Sequence, residues 1–221
     1  GAEPFARLQV FKDKLMINEN GLMKCIVGEP VETLKTYMQG YRPAVEDASL
    51  PLANGGMVGY LNYDIVATFD RVRGMELGEE ELLGQFMICR VLVVYDALHN
   101  SARLICLADT KGRDADEAYD AVVEMIAKVE ARLSATLAPQ AGETAKRREK
   151  VDFLKKFGKA PEDFLKAIRK AKEHIFAGDI FQVVPSRQFR EKITKPCFHF
   201  YRRLRQVNPS PYMFYFNFGP V

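Results

Sequence analysis

The sequence predicts an α+β fold in two lobes, and three observations carry that expectation. Apolar residues keep helical spacing along residues 116–133 and again along 162–177, with charges on the opposite face. Runs of strand character, at residues 5–10, 86–95 and 103–108, alternate with helices without a regular βαβ beat, which points to antiparallel or mixed sheets with packed helices. Between them, residues 134–150 lose all periodicity and become small, polar and basic, the composition of a connection between lobes. The expected division is residues 1–135, a linker at 136–152, and residues 153–221.

Phe5, Arg7 and Gln9 alternate with apolar neighbours; Lys12-Asp13-Lys14 breaks the pattern and Leu15-Met16-Ile17 resumes it, so a strand, a turn and a returning strand are expected. Leu34, Tyr37 and Met38 sit at helical spacing in residues 32–41, and Gly40 closes that helix. Residues 50–59 are rich in Pro and Gly and read as a turn leading into the apolar stretch 57–63; a helix follows at 64–69. Residues 86–95 and 103–108 form two strands joined by a turn at 96–102. Their apolar residues are consecutive, which predicts cover on both faces.

Ala118, Val122, Met125, Val129 and Leu133 make the apolar face of the helix at 116–133. In the helix after residue 160, Pro161 suits the first position, Glu162 and Asp163 suit the positive end, and Gly178 supplies a left-handed stop. Its stripe is Phe164, Ile168, Ala171 and Ile175. Residues 180–189 read as a strand, with Pro185 confining that point to an edge or bulge. Residues 197–207 read as a basic helix ended by Asn208-Pro209, and 212–218 as an aromatic strand.

Composition removes several classes of function. With 221 residues, 48% hydrophobic and 28% charged, the chain has the makings of a globular core. A net charge of +3, from 32 basic and 29 acidic residues, is too balanced to point to nucleic acid. The aromatic run 212–216 lacks the Lys/Arg-Gly flank of RNA-binding sheets. No apolar run reaches the ~18–20 residues that span a bilayer, and the first residues have neither the charge nor the apolar stretch of a signal peptide. Cys25, Cys89, Cys106 and Cys197 are widely spaced, the pattern of reduced thiols packed as small hydrophobes in the cytoplasm.

Chemical motifs are few. Gly55-Gly56-Met57-Val58-Gly59 lacks the Gly-Lys-Ser/Thr of a phosphate loop and enters a strand, so close backbone packing explains it. His99, His174 and His199 have no partner at metal-ligand spacing, and no G-x-S-x-G elbow appears. The basic clusters at 146–150 and at Arg202, Arg203 and Arg205 read as solvated faces. Residues 178–189, GDIFQVVPSRQF, are different. Gln182, Val184, Ser186 and Gln188 share one strand face, and these polar groups need either an inter-strand network or a polar cavity. Asn208-Pro209-Ser210-Pro211 is a stiff turn that presents Tyr212 and Met213.

These stretches resemble one family. GMVGYLNYD at 56–64 resembles the glycine-rich strand in the amino-terminal domain of the anthranilate synthase component I family. AKEHIFAGDIFQ at 171–182 resembles the opening of that family's chorismate-binding domain, and NPSPYMF at 208–214 matches a further stretch of it. The resemblance implies a two-lobed, incomplete version of the chorismate-utilising architecture. It also implies conversion of chorismate and glutamine-derived ammonia into anthranilate and pyruvate, in tryptophan biosynthesis. Mg2+ and a glutamine amidotransferase subunit, component II, come with it, as does feedback inhibition by L-tryptophan. By the same resemblance, the catalytic and metal residues are expected downstream of residue 221 and none is assigned in this chain. An amino-terminal Leu-Leu-Glu-Ser motif would precede residue 1. Pro211, Tyr212 and Met213 correspond to the turn that touches tryptophan. The related aminodeoxychorismate synthase component of folate synthesis is the alternative, and a non-catalytic ligand-sensing or docking fragment is an alternative of another class.

Overall fold

The computed structural model describes residues 1–41, 55–110, 112–135, 152–193 and 195–219, with the backbone alone at 153–154. The expected linker apart from Asp152, the basic cluster at 146–150 and the first part of the Pro/Gly turn lie outside the described residues. The chain divides into two compact units, Gly1–Thr136 with Phe216–Val221, and Leu137–Tyr215.

The first unit is an antiparallel sheet built from β1 (Ala2–Val10), β2 (Lys14–Glu19), β3 (Leu22–Val27), β4 (Met57–Leu61), β5 (Gly84–Asp96) and β6 (Ser101–Cys106). The order is β3-β2-β1-β5-β4, with β6 paired to the far half of β5. The expected strand–turn–strand at the start is present as β1 and β2, with Leu8 opposite Ile17 and Val10 opposite Leu15. β3 was not expected. Asn20 and Gly21 both have positive φ and join β2 to β3, and Asn-Gly is the strongest two-residue hairpin signal.

Alternation sends Ala6, Leu8, Val10, Leu15 and Ile17 to one face, where they form a core with Leu34, Ile65, Leu83 and Ile88. Helix α1 (Pro30–Gln39) covers that face. It begins two residues before the predicted start: Pro30 takes a first-turn position, and the Glu29 carboxylate accepts from the amides of Val31 and Glu32 at 3.0 and 2.7 Å. The helix expected at 64–69 is a 3-10 helix at Tyr63–Thr68.

Full cover of β5 and β6 is not what the structure shows. β5 is buried where β1 and β4 flank it, but beyond Val91 its only strand partner among the described residues is β6, and Tyr95 is 63% exposed. Consecutive apolar residues therefore mark a strand that changes neighbours halfway. Helix α2 (Ala115–Ser134) is capped by Asp114, whose carboxylate accepts from Asp116 and Glu117. Its expected face buries Ala118 and half-buries Val122, Met125 and Val129, while Leu133 is exposed.

The second unit contains α3 (Phe153–Phe157), α4 (Glu162–Ala177) and α5 (Cys197–Val207). α3 was not expected. Pro161 is the N-cap of α4, one position earlier than predicted. The strands expected at 180–189 and 212–218 are not formed: neither segment pairs as a strand with a described neighbour. Strand propensity is realised only by pairing. No described helix is long and apolar enough to cross a membrane.

Candidate functional site

Residues 178–189 leave α4 through a left-handed turn. Gly178 has φ +82°, its amide donates to the Ile175 carbonyl at 3.1 Å, and the Asp179 amide donates to the His174 carbonyl at 3.0 Å. These two bonds define a Schellman cap. The segment then continues without regular secondary structure, with Phe181 95% exposed. Gln182, Ser186 and Gln188 are exposed, and none has a hydrogen-bond partner among the described residues. Of the two readings the sequence left open, an inter-strand network is not formed among the described residues.

The far end of the segment is anchored. Arg187 donates to the Phe157 carbonyl at 2.8 Å and lies over the Phe189 ring at 4.8 Å. Phe157 and Phe189 meet edge-on at 5.0 Å, and Lys156 pairs with Glu191 at 3.0 Å. Sequence reasoning missed this cluster because α3 is too short to show a period.

Pro211 and Tyr212 form a turn directly after α5. Tyr215 closes its base by packing on Phe198 and Tyr201 of α5, at 5.4 and 5.6 Å between rings. The ring of Tyr212 is 90% exposed, and Met213 is half-buried. The three consecutive residues expected to touch an effector thus lie in and next to this turn, with the Tyr212 ring open to solvent and Met213 partly covered. Three residues beyond Tyr215, Phe218 packs on Tyr60 of β4 at 5.8 Å.

The glycine-rich strand has the structural role expected. A Cβ at Gly59 would meet the Gln85 carbonyl, and one at Gly84 would lie 2.6 Å from the Tyr60 carbonyl. Two clefts of about 370 and 600 Å3 border Ala67 and Met75; the larger is lined by Asp70, Arg71, Arg73 and Glu76, and neither includes a residue singled out from the sequence.

Among the described residues no three His, Cys, Asp or Glu side chains converge on a metal-sized site. His99 caps a turn against Asp96 at 2.7 Å, which together with the backbone amides of Leu98 and His99 holds the Asp96 carboxyl below its usual range. All four cysteines are free. Burial pushes the Cys89 and Cys106 thiols up, which suppresses the reactive thiolate. Cys25 and Cys197 are exposed, contrary to the expectation of packed thiols. Cys25 belongs to the unanticipated edge strand and Cys197 to the first position of α5, so neither has a layer above it.

Comparison with known proteins places these features. A family model described as chorismate binding enzyme matches residues 4–221. Anthranilate synthase component 1 of Acetivibrio thermocellus is 32% identical over 99% of this chain and 45% of its own length. That of Thermus thermophilus is 38% identical over 88% of this chain and 40% of its own length. The chain thus spans less than half the length of these relatives. The crystal structure of anthranilate synthase component I from Streptococcus pneumoniae has the same fold over 99% of this chain and 47% of that one, with a TM-score of 0.67 at 22% identity.

Proposed function

The chain belongs to the family of chorismate binding enzymes, and from that premise we propose that it is part of component I of an anthranilate synthase. The intact protein converts chorismate and ammonia into anthranilate and pyruvate with Mg2+. A glutamine amidotransferase subunit delivers the ammonia, and tryptophan inhibits. The cytoplasm is the compartment that suits reduced thiols. The observation that carries the reading is the family match over residues 4–221, joined to relatives named anthranilate synthase component 1.

On this reading residues 1–135 form the regulatory lobe, residues 136–152 the linker, and residues 153–221 open the chorismate-binding domain. Amination and loss of the enolpyruvyl side chain require a group that holds the substrate carboxylate and an acid that assists departure of the hydroxyl. The described residues do not fit a Mg2+ site. It is the resemblance to component I that assigns the metal ligands and the acid to the part of the intact protein downstream of residue 221. Pro211, Tyr212 and Met213 form one wall of the tryptophan site. The stiff turn and the exposed Tyr212 ring support that role, since a preorganised aromatic surface binds an indole at low ordering cost.

Growth complementation tests the reading. Cells lacking component I, and so requiring tryptophan, should grow without it when they make the intact protein that carries these residues. Relief of a p-aminobenzoate requirement instead would replace this reading with the folate-branch enzyme.

A further inference from the structure

The Schellman cap at the end of α4 departs from the usual pattern in one respect. In that cap an apolar contact normally joins the residue two beyond the helix to the residue at the start of the last turn. Here those two positions are Asp179 and His174, already joined by the Asp179 amide to His174 carbonyl bond. Their side chains add a polar contact, with His174 Nδ1 2.8 Å from Asp179 Oδ2. Backbone and side chain of Asp179 are thus both tied to one residue of α4. The result is a two-point clasp around Gly178, whose positive φ sets the direction in which the chain leaves.

We propose that His174 and Asp179 are positioning residues. Their clasp fixes the exit of residues 180–189 from α4, and so fixes where the polar side chains of Gln182, Ser186 and Gln188 stand. Three features support this. The segment has no strand neighbour among the described residues to set its course. Its near end is held by the clasp and its far end by Arg187 on the Phe157 carbonyl. The exposed side chains of Gln182, Ser186 and Gln188 make no hydrogen bond to a described residue, which fits a role in contacting something outside them. Both side chains of the clasp are about half exposed, and exposed pairs add little to global stability. Their value lies in direction. For the kinetic part, the inference rests on the function proposed above.

The test uses the intact protein with Asp179→Ala, His174→Ala and His174→Asn, the last keeping an amide donor near the position of Nδ1. Amide hydrogen exchange at residue 179 and Ile180 should quicken in Asp179→Ala and His174→Ala and recover in His174→Asn. In the two alanine variants kcat/KM for chorismate should fall by about ten- to a hundredfold, with melting temperature and the KM for ammonium unchanged, and His174→Asn should restore most of it. The double variant Asp179→Ala/His174→Ala should be no worse than either single change. Wild-type exchange in both disabling variants overturns the clasp, whatever the activity. Faster exchange with unchanged kcat/KM overturns the positioning role and leaves the proposed reaction standing. If the wild-type intact protein does not consume chorismate, the reaction fails while the exchange result still decides the clasp.

Discussion

Gly59 lies so close to Gln85 that a Cβ at position 59 would overlap the Gln85 carbonyl oxygen. Gly84 repeats the relationship from the other strand, 2.6 Å from the Tyr60 carbonyl. The two glycines let β4 and β5 approach where they also cover the core. Gly59→Ala should therefore cost about 2–3 kcal/mol of stability. Gly55→Ala, whose Cβ would meet only Leu107 at 3.7 Å, should change stability by less than about 0.5 kcal/mol. Urea unfolding of the two variants checks this, and equal effects would remove the close-approach explanation.

That glycine run shows how far the sequence could be read. Its purpose followed from chemistry alone, because the spacing fits no phosphate loop and a strand follows. The first two strands, α1, α2, α4 and α5 were legible for a similar reason: each carries its own period or cap. β3 was missed although Asn20-Gly21 marks its hairpin, because its exposed residues show no inward alternation. The strands expected at 180–189 and 212–218 have the right residues, but pairing depends on a neighbour that no local pattern reports. Pro211, Tyr212 and Met213 were legible as a stiff turn. Their assignment to an effector came from resemblance, and the exposed tip is compatible with it without testing it.

A part-buried hydroxyl network gives a second prediction. Tyr41 donates to Glu19 Oε1 at 2.6 Å and lies 3.0 Å from the Tyr37 hydroxyl, while Lys24 pairs with the same carboxylate. Burial first, and then the bond to Glu19, hold the Tyr41 phenol far above its ordinary value of 10.0. A phenol raised on folding contributes stability that is complete below the unfolded value and is lost as pH rises towards the folded one. Tyr41 should thus add no pH dependence to stability near neutral pH, and stability should fall above about pH 10. Tyr41→Phe should cost about 1 kcal/mol at pH 7 and flatten the alkaline fall. An unchanged slope in the variant would show that Tyr41 does not titrate with unfolding.

Arg187 supplies the third. Its guanidinium joins the Phe157 carbonyl to the Phe189 ring, so Arg187→Ala removes a charged hydrogen bond and a cation–π contact together. Limited proteolysis should then cut sooner at Arg190 and Lys192. Arg187→Lys should protect only partly, since an ammonium is a poorer match to both partners at once. Wild-type cleavage rates in Arg187→Ala would mean that the anchor does not hold the segment.

The fourth concerns inhibition of the intact protein. Met213→Ala should remove packing against an indole worth about 1–3 kcal/mol, raising the tryptophan concentration for half-inhibition by about one to two decades. Replacing Pro211 should act through lost preorganisation of the turn. Inhibition that is unchanged in both variants would remove tryptophan from this tip, and an equal loss of turnover would put the turn in the catalytic core instead.

The central claim, that these residues belong to an enzyme making anthranilate from chorismate, is tested most directly by anthranilate fluorescence. The intact protein is mixed with chorismate, Mg2+ and excess ammonium, and pyruvate is measured in parallel. The account predicts sustained formation of anthranilate and pyruvate in equal amounts by the intact protein, and none by residues 1–221 alone. Chorismate left untouched by the intact protein, or sustained turnover by the 221 residues, would contradict it.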